Sequence, residues 1–256
     1  MSGSMSAAGW LRVIGLGPGA PDLLAPEAAA ALEGASDLIG YGPYVARVPD
    51  RPGLARHATD NRVELDRARH ALALAARGAR VAVVSAGDAG VFGMASAVFE
   101  ALEAGPTEWR GLDIAVIPGI SAMFAVAARV GAPLGHDFCA ISLSDNLKPW
   151  SLVERRLRLA VEAGFVIALY NPISRARAWQ LGQALDLLRD MLPGTVPVVF
   201  ATAATRPEER IDIVPLERAD PGRADMRTLV LVGTGASRLI ERPGGRPWLY
   251  APRSAS

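Results

Sequence analysis

The amino-acid sequence predicts an α/β protein made of two α/β units. Three observations carry this. Short β-rich runs alternate with helical stretches from Trp10 onward. Several of those runs end directly in glycine or other small residues, where α/β sheets admit ligands. The chain has 256 residues, half of them hydrophobic and 21% charged, enough to bury cores without disulfides.

The elements follow in order. Residues 10–17 read as a first strand feeding a glycine turn. Residues 26–33 read as a helix with Pro26 in its first position, where a missing N–H costs nothing. Residues 37–41 form a second short strand, and residues 62–77 a helix. That helix carries Val63, Leu65, Ala68, Leu72 and Ala75 near helical spacing, with Gly78 as its stop. A buried strand over 80–85 precedes a helix over 92–104, and a strand over 112–117 precedes a helix over 121–130. In the second half, residues 138–143 and 165–170 fit buried strands, followed by helices over 152–163 and 175–192. Strands over 196–201, 211–216 and 228–232 come in close succession, which predicts an antiparallel or mixed sheet at that end. The expected domains are residues 10–120 and 121–240, with 1–9 and 241–256 as loose termini. The sequence shows no internal repeat.

Composition excludes several function classes. Net charge is +1, which argues against a broad nucleic-acid footprint. Cys139 is the single cysteine, so neither an internal disulfide nor a cysteine-cluster metal site can form. His57, His70 and His136 lack metal-ligand spacing, so no metal is expected. No apolar run reaches the ~20 residues of a membrane span, and the start lacks the pattern of a signal peptide. A cytoplasmic protein is expected. Lys148 is the only lysine among 27 basic residues. Arginine suits bidentate capture of carboxylates, although coding bias accounts for most of an arginine excess.

Four strand ends could hold a ligand. Gly15-Leu16-Gly17-Pro18-Gly19-Ala20 superficially fits a dinucleotide fingerprint. The helix start at Pro26 is too late for that fold, and the second strand ends in Gly40-Tyr41-Gly42 with no acid for a ribose. The second turn, Ser85 to Met94, contains Gly87-Asp88-Ala89-Gly90, where Asp88 sits near a helix start or caps a tight turn. The third is Pro118-Gly119-Ile120-Ser121-Ala122, with Ser121 a natural N-cap. The fourth is Tyr170-Asn171-Pro172. Together they suggest a small-molecule cleft between the two units.

In order and spacing these turns resemble the tetrapyrrole methylases, whose pattern is GxGPG, then GD-P/A-x-x-x-G, then PG-[IV]-S-[SA], then a late strand before glycine. Here these are Gly15 to Gly19, Gly87 to Gly93, Pro118 to Ala122 and Val232-Gly233. Departures are Ala89 for a common proline, Ala25 for a frequent threonine, and Gly233-Thr234-Gly235 for Gly-Asn-Ser. Three segments resemble the members that methylate C-17 of precorrin-3B. They are residues 133–138, residues 142–157 with Ser142-Leu143-Ser144-Asp145 and Lys148-Pro149-Trp150, and residues 165–174 with Tyr170-Asn171-Pro172.

The resemblance implies a homodimer of two α/β domains with the cofactor cleft between them. It implies a cobalamin-pathway enzyme using S-adenosyl-L-methionine and releasing S-adenosyl-L-homocysteine. The tetrapyrrole substrate would be precorrin-3B or cobalt-factor III, methylated at C-17 with ring contraction, as in formation of precorrin-4. Its cofactor contacts would fall on Pro18, Gly87, Asp88, Ala89, Phe92, Ser121, Ala122, Tyr170, Asn171 and Ala203. Ring contraction needs proton transfers, for which His136, Asp145 and Asp22 are the candidates. The substrate's carboxylates would meet Arg155, Arg156, Arg175 and Arg177. The alternatives are a relative acting at C-11, at C-20 or on uroporphyrinogen, a nicotinamide-dependent oxidoreductase, and a non-catalytic tetrapyrrole-binding module.

Overall fold

The computed structural model describes residues 9–60, 63–174 and 177–254. It divides into two units, one ending at Ser121 and one starting at Ala122. The first contains β1 (Trp10–Gly15), α1 (Pro26–Gly34), β2 (Asp37–Tyr41), α2 (Gly42–Val45), β3 (Ala55–Thr59), α3 (Glu64–Ala76), β4 (Arg80–Ser85), α4 (Met94–Ala104) and β5 (Asp113–Ile117). All five strands are parallel, in the order β3-β2-β4-β1-β5.

Side-chain alternation along these strands builds two cores. Leu11, Val13, Val81 and Val83 face one side and pack with Ala68, Leu72 and Val98 from α3 and α4. Ile14, Ala82 and Val84 face the other and pack with Ala28, Leu38 and Val45. Both faces are covered, as a parallel sheet requires. The edge strand β3 pairs with β2 over all five residues, and its end is tied by polar groups. The buried Arg67 on α3 donates from Nε to Thr59 Oγ1 at 2.8 Å and from Nη2 to the Asp60 carbonyl at 2.7 Å.

The second unit contains α5 (Ala122–Val130), β6 (Gly131–Ala132), β7 (Phe138–Ser142), α6 (Trp150–Glu162), β8 (Val166–Tyr170), α7 (Gln180–Met191), β9 (Pro197–Thr202), β10 (Arg210–Pro215), β11 (Thr228–Val232), β12 (Arg238–Arg242) and β13 (Gly245–Tyr250). Its main sheet runs β10-β9-β11-β8-β7 and is mixed: β7 and β8 are parallel, while β11 is antiparallel to both β8 and β9. One core joins Ile167, Leu169, Val198, Phe200 and Val230 to Val153, Leu157, Leu181 and Leu185 of α6 and α7. The other joins Ala168, Val199 and Leu231 to Met123 and Val126 of α5.

The structure corrects three expectations. Residues from Glu241 onward are not a loose tail. β12 and β13 form a hairpin closed by Pro243 and Gly244, with Gly244 at φ +69°, and Leu249 is buried in the α5 core. The helix expected from residue 92 starts at Met94, because Phe92 takes a left-handed backbone. The helix expected from residue 175 starts at Gln180. The expected start of α3 at Arg62 lies outside the described residues, as do residues 1–8 of the expected leader. No helix among the described residues is long and apolar enough to cross a membrane.

Candidate active site

In the first unit, strand order brings three turns together. β4, β1 and β5 are neighbours and parallel, so their carboxyl ends lie side by side. Gly17 and Gly87 exchange backbone hydrogen bonds of 3.0 and 2.9 Å, at φ +65° and +64°, a conformation that favours glycine. Gly15 and Gly119 are needed for another reason. A Cβ on Gly15 would lie 2.6 Å from the Gly87 carbonyl oxygen and 2.7 Å from the Gly119 nitrogen. A Cβ on Gly119 would collide with the same Gly87 oxygen. The edge is therefore built of backbone against backbone.

Asp88 clamps this edge. Its Oδ1 accepts from the Gly90 N–H at 2.8 Å and its Oδ2 from the Gly119 N–H at 3.0 Å. It does not cap α4, whose N-cap is Gly93. Arg47 adds a second tie, donating from Nη2 to the Leu16 and Gly17 carbonyls at 2.8 and 3.1 Å. Nothing in the sequence singled out Arg47. Ala89 is fully buried in the core, so only its backbone can meet a ligand. Pro18 and Ala122 are half-buried and Ser121 is buried, at the ends of the first and third turns.

In the second unit, β8 ends at Tyr170. The Tyr170 hydroxyl accepts from the Met123 backbone N–H at 3.1 Å, fixing the first turn of α5. Asn171, at φ +51°, donates from Nδ2 to Ser142 Oγ at 3.0 Å, which ties the ends of β7 and β8 together. Four non-glycine residues have left-handed backbone among the described residues: Phe92, Asn171, Ala203 and Thr205. Such geometry costs about 1–3 kcal/mol each and concentrates where ligands are held. Three of these four are residues on which the resemblance places cofactor contacts.

The residues expected to move protons are not brought together. His136 precedes β7 and Asp145 follows it, so at least about 13 Å of strand separates them. Among the described residues His136 ion-pairs with the exposed Asp137 alone, at 3.7 Å. Asp22 is exposed in a single 3-10 turn, Pro21–Leu23. Asp145 does not cap α6, whose N-cap is Pro149. Instead both its oxygens accept from Gln180 Nε2 at 3.2 Å. Gln180 is buried and was not singled out from the sequence.

Of the arginines expected to meet carboxylates, Arg155 and Arg156 are exposed on α6. Arg177 donates from Nη1 to the Asn171 carbonyl at 2.9 Å. Arg175 lies outside the described residues. His57 and His70, far apart in the chain, meet with ring centroids 5.0 Å apart and planes tilted by 54°, and His57 Nε2 is hydrogen-bonded to Asp37 Oδ1 at 2.8 Å.

The fold is that of an α/β protein whose first unit gathers three backbone turns at the carboxyl ends of β1, β4 and β5. The chain belongs to the tetrapyrrole (corrin/porphyrin) methylases, whose family model matches residues 11–220. It is 58% identical over 245 residues to a precorrin-3B C(17)-methyltransferase from Sinorhizobium sp., covering 96% of each chain. It is 40% identical over 231 residues to a probable cobalt-factor III C(17)-methyltransferase from Salmonella typhimurium, covering 87% of this chain and 92% of that one. The crystal structure of the methyltransferase CobJ superposes with a TM-score of 0.90 at 56% identity, covering 95% of this chain and all of that one.

Proposed function

We propose that this protein transfers a methyl group from S-adenosylmethionine to C-17 of precorrin-3B, with contraction of the macrocycle toward precorrin-4, in cobalamin biosynthesis. The observation that carries it is the end-to-end match, at 58% identity, to a relative named for that reaction. Identity to the relative named for cobalt-factor III is lower, at 40%, which favours the cobalt-free substrate. The proposal includes a cytoplasmic homodimer, for which light scattering should return twice 26.9 kDa.

When bound, S-adenosylmethionine supplies an electrophilic methyl whose transfer leaves S-adenosylhomocysteine. The residues present fit such a cofactor. Gly15, Gly17, Gly87 and Gly119 form an edge free of side chains, and Phe92, Asn171 and Ala203 are held in strained turns. Pro18, Asp88, Ala89, Ser121, Ala122 and Tyr170 complete the proposed contacts. The role of this machinery is orientation and exclusion of water, since an activated methyl needs no protein nucleophile. Asp145, held by Gln180 beside the β7–β8 edge, is the group we assign to proton transfer during contraction. His136, at the other end of β7, is not placed to share that task.

Parallel incubations with precorrin-3B and cobalt-factor III test the proposal. Turnover of precorrin-3B should be faster by roughly tenfold or more, within the usual range of substrate discrimination. Reversed rates would assign the cobalt substrate, and equal rates would contradict the preference. Asp145→Asn should slow turnover roughly a hundredfold at unchanged cofactor affinity, and His136→Ala should not.

A further inference from the structure

Asp145 is half-buried in the loop between β7 and α6. Among the described residues it forms no ion pair, and one side chain, Gln180, hydrogen-bonds to its carboxylate. Asp113, Asp186 and Asp225, by contrast, each pair with an arginine. Lys148, the cation in the same loop, donates to the Ser144 carbonyl at 2.7 Å. The partner of Asp145 is therefore a neutral amide.

That amide is only half satisfied. Gln180 is the first residue of α7 and is 1% exposed. Its Nε2 lies 3.2 Å from each Asp145 oxygen, while its Oε1 is buried and accepts no hydrogen bond. An unmet buried acceptor is costly, so a glutamine with one end unmet calls for a reason. The frame around it is fixed. The ring of Trp179, next to Gln180 in the chain, meets that of Trp150 at the start of α6 edge-on at 5.1 Å. The two ends of an amide are nearly equal in size. A half-turn about its last bond exchanges donor for acceptor without repacking.

We propose that Gln180 is a positioning residue that serves Asp145 in both of its protonation states, a role that rests on the assignment of proton transfer to Asp145 above. To the carboxylate it presents its NH2. When Asp145 takes a proton from the macrocycle, the neutral acid has an O–H to place, and the amide turns so that Oε1 accepts it. When the proton returns to the macrocycle, Nε2 faces the carboxylate again. One end of the amide is unmet in either state, so Gln180 favours neither. A cation in its place would hold Asp145 ionised.

A double-mutant cycle on precorrin-3B turnover tests this. Gln180→Met keeps the volume and removes both ends of the amide. It should lower kcat roughly tenfold, leave KM for precorrin-3B and S-adenosylhomocysteine affinity unchanged, and add nothing to the loss in Asp145→Asn, because it acts only through that carboxylate. Gln180→Glu lets one proton be shared between the two carboxyl groups. It should keep most of the turnover at low pH and lose it as pH rises and the pair gives up that proton. Wild-type kcat in Gln180→Met, or losses that add in the double variant, overturn the proposal; a slow Asp145→Asn enzyme then leaves the Asp145 assignment standing. Wild-type turnover in Asp145→Asn overturns both. If Gln180→Met does not fold, Gln180→Glu decides alone, and a pH profile matching the wild type's contradicts the proposal.

Discussion

Gly119→Ala should abolish tight binding of S-adenosylmethionine and destabilise the first unit by roughly 3 kcal/mol. The added methyl would strike the Gly87 carbonyl oxygen and lie 2.7 Å from the Gly15 oxygen. Both obstacles are backbone, so no side chain can rotate away. Relief requires parting β1, β4 and β5 at their carboxyl ends, the edge where the cofactor is proposed to lie. The backbone angles at Gly119 are ordinary, so the effect is steric and not conformational. Gly111→Ala is the control, because a Cβ there meets nothing within 4 Å. Urea denaturation and calorimetry with S-adenosylhomocysteine read the two effects separately. Near-normal affinity in Gly119→Ala would show that the three-turn edge does not hold the cofactor.

Asp88→Asn is expected to weaken cofactor binding by roughly ten- to a hundredfold with a smaller loss of stability. The carboxylate accepts two backbone N–H groups, from Gly90 and Gly119, one on each oxygen. An amide offers one oxygen and turns its NH2 toward the other N–H. Hydrogen bonds to a charged group are worth about 1.5–3 kcal/mol, so losing one frees the third turn from the second. Asp88 therefore braces the proposed cofactor edge, with or without a contact of its own to the ligand. Calorimetry distinguishes the outcomes: unchanged affinity with wild-type stability would remove Asp88 from the site.

Much of the fold was legible because its strands obey simple rules. β2, β4 and β11 have the ends that the sequence predicts, since each is a short apolar run bounded by turn residues. β3 was missed because Ala-Arg-His-Ala-Thr has no apolar alternation; it pairs with β2 over all five residues, and Arg67 ties its end. The β12–β13 hairpin was hidden by its arginines and prolines. Arg242 stacks on Trp248 at 4.2 Å, and Arg246 donates to the Ile211 and Arg129 carbonyls, so charged residues cover this sheet. The Pro243-Gly244 pair was the available signal, and a composition-based reading passed over it.

The candidate site was legible as motifs but not as an assembly. The four glycine and small-residue turns were visible one by one. The convergence of the first three in the first unit depends on the order β3-β2-β4-β1-β5, a tertiary property that spacing does not encode. The same holds for His136 and Asp145. They lie nine residues apart in the chain, yet β7 runs between them and sends them to opposite ends of the sheet. Gln180 and Arg47 looked like ordinary polar residues, and only the fold shows what each one holds.

The central claim is most directly tested by the position of the transferred carbon. The purified protein would be incubated anaerobically with precorrin-3B and S-adenosylmethionine labelled with 13C in its methyl group, and the product examined by mass spectrometry and 13C NMR. One enriched methyl at C-17 of a ring-contracted macrocycle is the predicted result. Label at C-11 or C-20, a methyl at C-17 without contraction, or no transfer at all would contradict it.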